Sequence, residues 1–205
     1  MVDRSARSAT ALLIIDMIND LEFEGGEQLL ALALPMAKVL AALKRRAKEA
    51  GIPVIYANDN FGRWRSDLNM LVEACVASGV RGREVVECLV PSQDDYFIIK
   101  PRHSAFYQTN LDTLLEVLGV GRVILTGMAT DICVLFSAND AHMRGLHVVI
   151  PPDCVVAEDP RENENAIRLM ARVLKADVVP SMQLAFNTSE DPRGLQSSPS
   201  ANPYE

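Results

Sequence analysis

The stretch Val123-Ile124-Leu125-Thr126-Gly127-Met128-Ala129-Thr130-Asp131-Ile132-Cys133 decides how the chain is read. It opens as a short apolar block without polar alternation, the pattern of a strand buried on both faces of a parallel sheet. Gly127 marks a turn. The residues from 131 read as a helix that runs to 144 and is ended by Gly145, so Cys133 falls at its entry. A thiol there meets unpaired backbone N–H groups and the positive end of the helix dipole, which favour thiolate. A strand, a turn and a helix carrying a nucleophile at its start predict an α/β sheet with chemistry at its carboxyl edge.

Working outward, the same unit recurs. ALLIIDMI (11–18) is a first strand that ends in an acid, Asp16. Residues 27–50 follow at helical spacing, with the basic cluster KRRAKE in the last turns, Gly51 as terminator, and a break or second start expected at Pro35. IPVIYAND (52–59) is a second strand, leading into a polar loop with Phe61 and Trp64 and then a helix to Ser78. The turn-rich segment 79–95 carries no assigned element. DYFIIKP (95–101) is a third strand with Lys100 just before its closing proline. Residues 110–118 read as a helix with Asn110 as N-cap and Gly119 as terminator. RVILTG (122–127), LHVVIPPD (146–153) and ADVVP (176–180) complete the strands, and a helix opened by Pro160 covers 160–175.

Strands alternating with helices predict a three-layer α/β/α domain around a six-stranded, mostly parallel sheet. With 205 residues and 49% hydrophobic content, one domain over 1–186 is expected. The Ser-, Pro- and Asn-rich residues 187–205 are expected to form a flexible tail. The net charge of −7 argues against a nucleic-acid partner. No uninterrupted apolar run reaches the roughly 20 residues that cross a bilayer, so no membrane partner is expected. The first residues lack the pattern of a secretion signal. Cys75, Cys88, Cys133 and Cys154 show no CxxC spacing, which points to a reduced, cytoplasmic protein.

In parallel sheets the working residues collect outside the carboxyl ends of the strands. Asp16, Lys100 and Cys133 all fall there. A cysteine must lose its proton to attack a carbonyl, and a free pKa of about 8.5 leaves only a minority as thiolate at neutral pH. A carboxylate beside it can take that proton, return it to a departing amine and then activate water. An ammonium can hold the thiolate, and backbone N–H groups at a helix start can stabilise the oxyanion. The three side chains fill these roles without a histidine.

LLIIDMINDLEF around Asp16, IIKPRHSAFYQTNL around Lys100 and LTGMATDICVLFSANDAHMRG around Cys133 occur in an order and spacing that resemble the isochorismatase-like cysteine hydrolases. That superfamily includes nicotinamidases and N-carbamoylsarcosine amidohydrolases, and the resemblance covers roughly residues 10–180. It implies Asp16 as general base and acid, Lys100 as electrostatic stabiliser and Cys133 as nucleophile. It also implies a cis peptide at Met128–Ala129 and an oxyanion hole made by the Ala129 and Cys133 amides. A dimer or tetramer is implied as well. Nicotinamidases hold a divalent metal with an Asp-x-His pair after the second strand. Here Asp59 keeps the acid but Phe61 stands where the histidine would be, and only His103, His142 and His147 occur in the chain. No metal and no cofactor are expected. Ile18 and Leu21 also depart from the family's frequent glutamine and phenylalanine.

The expected activity is hydrolysis of an amide, carbamoyl or ureide C–N bond of a small molecule. Two rival readings share the fold: vinyl-ether hydrolysis by Asp16 with Cys133 a bystander, and a redox-sensing or scaffolding protein. Phe23, Phe61, Trp64, His103 and Met128 are the candidates for lining a substrate pocket. Cys75, Cys88, Cys154, His142 and His147 read as structural, with Cys154 the one most able to approach the site.

Overall fold

In the computed structural model, which describes residues 10–59 and 68–186, the first apolar block is strand β1, Thr10–Ile15. Its side chains alternate between two cores. Leu12 and Ile14 enter one, and Ala11, Leu13 and Ile15 enter the other. A strand covered on both faces has no place for polar alternation, which is why the sequence shows none.

The remaining strands are β2 (Val54–Asp59), β3 (Tyr96–Lys100), β4 (Arg122–Met128), β5 (His147–Ile150), β6 (Val155–Val156) and β7 (Asp177–Val178). They line up as β3-β2-β1-β4-β5-β7, with β6 paired to the far end of β4, and the pairings among them are parallel. The chain moves from β1 towards β2 and β3 on one side and resumes at β4 on the other. The strand order therefore reverses between β1 and β4, and a crevice opens beyond their carboxyl ends.

Helices cover both faces. α1 (Gly26–Glu49), α2 (Leu68–Val76) and α3 (Arg83–Cys88) bring Leu29, Ala33, Leu40, Leu71, Cys75 and Val86 onto the first core. α4 (Leu111–Val117), α5 (Leu135–Met143) and α6 (Pro160–Val173) bring Leu111, Leu115, Ala138, Ala141 and Met170 onto the second. Lys44 of α1 is also buried, and it is answered there by Asp95 at 2.6 Å, Tyr56 Oη at 2.9 Å and the Val90 carbonyl at 3.1 Å.

Several expectations change. The sheet has seven strands among the described residues, not six, because the two-residue β6 adds to β4. α1 runs unbroken through Pro35, held by a buried stripe that includes Leu29, Ala33, Met36, Ala37 and Leu40. By length and composition it is also a helix able to span a bilayer, although no single uninterrupted apolar run suggests one; here its apolar stripe lies on the sheet. The segment 79–95 contains α3, seated through Val85 and Val86. Asn110 makes no side-chain cap; Thr109 Oγ1 accepts from the Leu111 N–H instead. The first strand stops at Ile15, so Asp16 lies just beyond it. Phe61, Trp64 and the 187–205 tail lie outside the described residues.

At the carboxyl ends of β1 and β4, Ile15 pairs with Gly127. Gly127 has φ +106°, and a Cβ there would lie 2.0 Å from the Ile15 carbonyl oxygen. Gly127→Ala is therefore expected to lower stability by about 3 kcal/mol or more, read as an earlier urea midpoint. An unchanged midpoint would contradict this account of the crossing.

Candidate active site

Asp16 leaves β1 with φ +53°. Its N–H still bonds the Ala57 carbonyl at 3.0 Å, so the sheet ladder fixes its backbone while the left-handed conformation turns the chain. One carboxylate oxygen accepts from the Asp59 N–H at 2.8 Å. The other lies 2.8 Å from Lys100 Nζ. Asn58, one residue earlier in β2, donates to the Ile18 carbonyl at 2.9 Å and pins the loop beyond Asp16.

Lys100 ends β3 and its side chain is 1% exposed. Its ammonium has three hydrogens, and three acceptors surround it. They are Asp16, the Arg102 carbonyl at 3.2 Å and Cys133 Sγ at 3.5 Å. Pro101 and Arg102 thus bend the chain back over the lysine they follow. Burial alone would push this ammonium down, but Asp16, by charge and by hydrogen bond, leads the groups that outweigh it and hold it above its ordinary value.

Cys133 lies in a wide, π-type turn, Thr130–Val134, that leads into α5. The turn closes on Ala129, whose carbonyl accepts from both Ile132 and Val134 at 3.1 Å. The Met128–Ala129 peptide is cis, at the position the family resemblance implies. The expectation of a favoured thiolate does not survive at this position. Burial, and next the Asp16 charge, push the Cys133 thiol up to about 12, with Lys100 opposing only in part. The Asp16 carboxyl is itself held above its ordinary value by burial, offset in part by Lys100 and by hydrogen bonds from Lys100, Cys133 and Asp59. The resting site is therefore a neutral thiol beside the Asp16–Lys100 pair.

The pocket candidates separate. Phe23 is 41% exposed on the loop after β1. His103 is exposed, with its ring 5.7 Å from that of Phe136, a neighbour the sequence reading did not single out. Met128 is buried in the core beneath α1. Cys154 is buried in that same core, where the loss of water and, after it, the Asp153 charge push its thiol up to about 12. Asn58 and Ser137 also escaped the sequence reading. The signal for Asn58 was present, as a polar residue inside the otherwise apolar block IPVIYAND.

The sequence profile of the Isochorismatase domain matches residues 10–181. The chain is 40% identical to the uncharacterized isochorismatase family protein YaaI of Bacillus subtilis, over 87% of this chain and 98% of that protein. It is 27% identical to the ureidoacrylate amidohydrolase RutB of Methylorubrum extorquens, over 78% of this chain and 75% of that one. Among solved structures, the N-carbamoylsarcosine amidase of Thermoplasma acidophilum superposes with a TM-score of 0.65 at 28% identity, covering 86% of this chain and 99% of that one.

With the thiol protonated at rest, alkylation of Cys133 by iodoacetamide should climb about tenfold per pH unit from roughly pH 7 to 10, following the thiolate fraction below a raised pKa. Peptide mapping isolates this cysteine from the other three. A plateau near pH 8 would contradict the assignment.

Proposed function

The chain belongs to the isochorismatase family, and on that premise we propose that it hydrolyses a C–N bond of a small amide, carbamoyl or ureide compound through a thioester on Cys133. The observation that carries this reading is the position of Lys100 Nζ, 2.8 Å from Asp16 and 3.5 Å from Cys133 Sγ at the strand-order reversal. That is the arrangement of a base, a stabilising cation and a nucleophile around one point. The names of two relatives, a ureidoacrylate amidohydrolase and an N-carbamoylsarcosine amidase, support C–N cleavage next to a carbonyl.

The steps follow from the protonation states. As Sγ attacks the substrate carbonyl, its proton passes to Asp16, so the thiolate never has to accumulate in the free enzyme. A carboxyl held above its ordinary value is a better acceptor for that proton than an exposed aspartate. Lys100 keeps the centre from gaining an uncompensated negative charge during the transfer. The Ala129 and Cys133 amides are the proposed donors to the tetrahedral oxyanion. Collapse breaks the C–N bond while Asp16 returns the proton to the leaving nitrogen. Asp16 next takes a proton from water, which attacks the thioester. Release of the acyl product restores the thiol.

Cys133→Ala is expected to abolish turnover while leaving the urea midpoint near that of the wild type. Asp16→Asn, which preserves shape and removes proton transfer, should lower kcat/KM by about 10²- to 10⁴-fold. Steady-state kinetics on a panel of amides, carbamates and ureides reads both. Full activity in Cys133→Ala would sink the covalent mechanism and favour an Asp16-only hydrolysis. Unchanged kcat/KM in Asp16→Asn would remove the base.

A further inference from the structure

Cys133, Ser137, Asp140 and Arg144 fall at the spacings that align side chains along one face of a helix. This stripe starts at the nucleophile and continues down α5, and its polar members grip the segment that follows Lys100. Ser137 Oγ donates to the Cys133 carbonyl at 2.7 Å and accepts from the Ala105 N–H at 2.9 Å. One turn on, Asp140 accepts from Ser104 Oγ at 2.5 Å, and that hydroxyl in turn accepts from the Phe106 N–H at 3.1 Å. Arg144 closes the stripe by donating to the Asp140 carbonyl at 2.9 Å and lying 4.8 Å from the centre of the Phe106 ring. Ser137, Ala105 and Phe106 are buried, so water does not compete for these bonds.

We propose that Ser137 is a positioning residue for the Cys133–Lys100 pair, with Asp140 holding the same loop through Ser104. Ser137 touches none of the reacting atoms. Its hydroxyl ties the backbone of the nucleophile's turn to the backbone of the lysine's loop. That loop also supplies the Arg102 carbonyl that orients Nζ. The bridge therefore sets the separation of 3.5 Å between Nζ and Sγ. Without the hydroxyl, the buried Ala105 N–H loses its acceptor and the Cys133 carbonyl loses a donor. The two segments are then free to part, and a displacement of about 1 Å between reacting groups costs on the order of 10²-fold in rate.

This inference rests on Cys133 being the nucleophile, and the test separates the two claims. Ser137→Ala and Ser137→Thr are compared with the wild type in the full-length chain. The readouts are kcat and KM measured separately, the iodoacetamide rate on Cys133 at fixed pH, and the urea midpoint. Ser137→Ala should lower kcat by about 10- to 100-fold, leave KM within about threefold, and slow alkylation, because the thiolate loses its cation. Ser137→Thr, which keeps the hydroxyl, should restore kcat and alkylation. A merely structural serine would shift the midpoint and leave kcat and the alkylation rate of the folded protein unchanged, and that result overturns the proposal. If Ser137→Ala does not fold, Ser137→Val, which has the shape of the threonine variant but no hydroxyl, answers the same question without opening a cavity. A slower alkylation and lower kcat support the bridge, and wild-type values for both refute it. Turnover that survives Cys133→Ala would instead refute the nucleophile. A dead Cys133→Ala beside an unaffected Ser137→Ala refutes the positioning role alone.

Discussion

The ion pair between Lys100 and Asp16 has to be satisfied inside the protein, because neither group has more than marginal access to water. Removing such charges from water carries an effective penalty of several kcal/mol per ion, and removing one partner alone costs about 3–5 kcal/mol. The pair is tolerable only with every remaining valence filled. Much of the local geometry serves that requirement. Asp16 adopts a left-handed backbone that lets one oxygen meet the Asp59 amide and the other meet Lys100. The chain after Lys100 folds back so that Arg102 offers its carbonyl. The remaining contact is the thiol, and the pair thus lies against the Cys133 sulfur at the crevice.

The same environment decides what sort of thiol this is. A helix entry favours thiolate, but here the loss of water and the adjacent carboxylate weigh more, and the thiol stays protonated. A cysteine of that kind is inert until a substrate is in place and Asp16 can receive its proton. The neighbouring carboxylate is then a necessity rather than an accessory, which explains why the proposed chemistry needs no histidine. It also gives weight to whatever fixes the sulfur relative to its two partners, and α5 carries that fixture in Ser137.

The convergence of Asp16, Lys100 and Cys133 was legible because strand ends can be read from apolar blocks, and reactive side chains collect where those blocks stop. Asp16, Lys100 and Cys133 each sit just past or at such an end. What escaped the sequence depends on contacts between distant segments. Pro35 has the local chemistry of a breaker at about 3 kcal/mol, yet the buried face of α1 holds the helix through it. β6 has two residues, too few to show a period. α3 rests on two adjacent valines inside a charged stretch, so no helical period is visible there either. Ser137 is one hydroxyl in a helix until Ala105, from another segment, is seen to reach it.

The central claim is that an acyl group rests on Cys133 during turnover. It is tested most directly by acid-quenching the enzyme within milliseconds to seconds of mixing with amide, carbamate and ureide substrates, followed by intact-mass analysis and peptide mapping. The account predicts a transient mass increase equal to the acyl or carbamoyl group, confined to the Cys133 peptide and lost on further incubation. Substrate consumption with no adduct on that peptide at any quench time, for every substrate turned over, would contradict it.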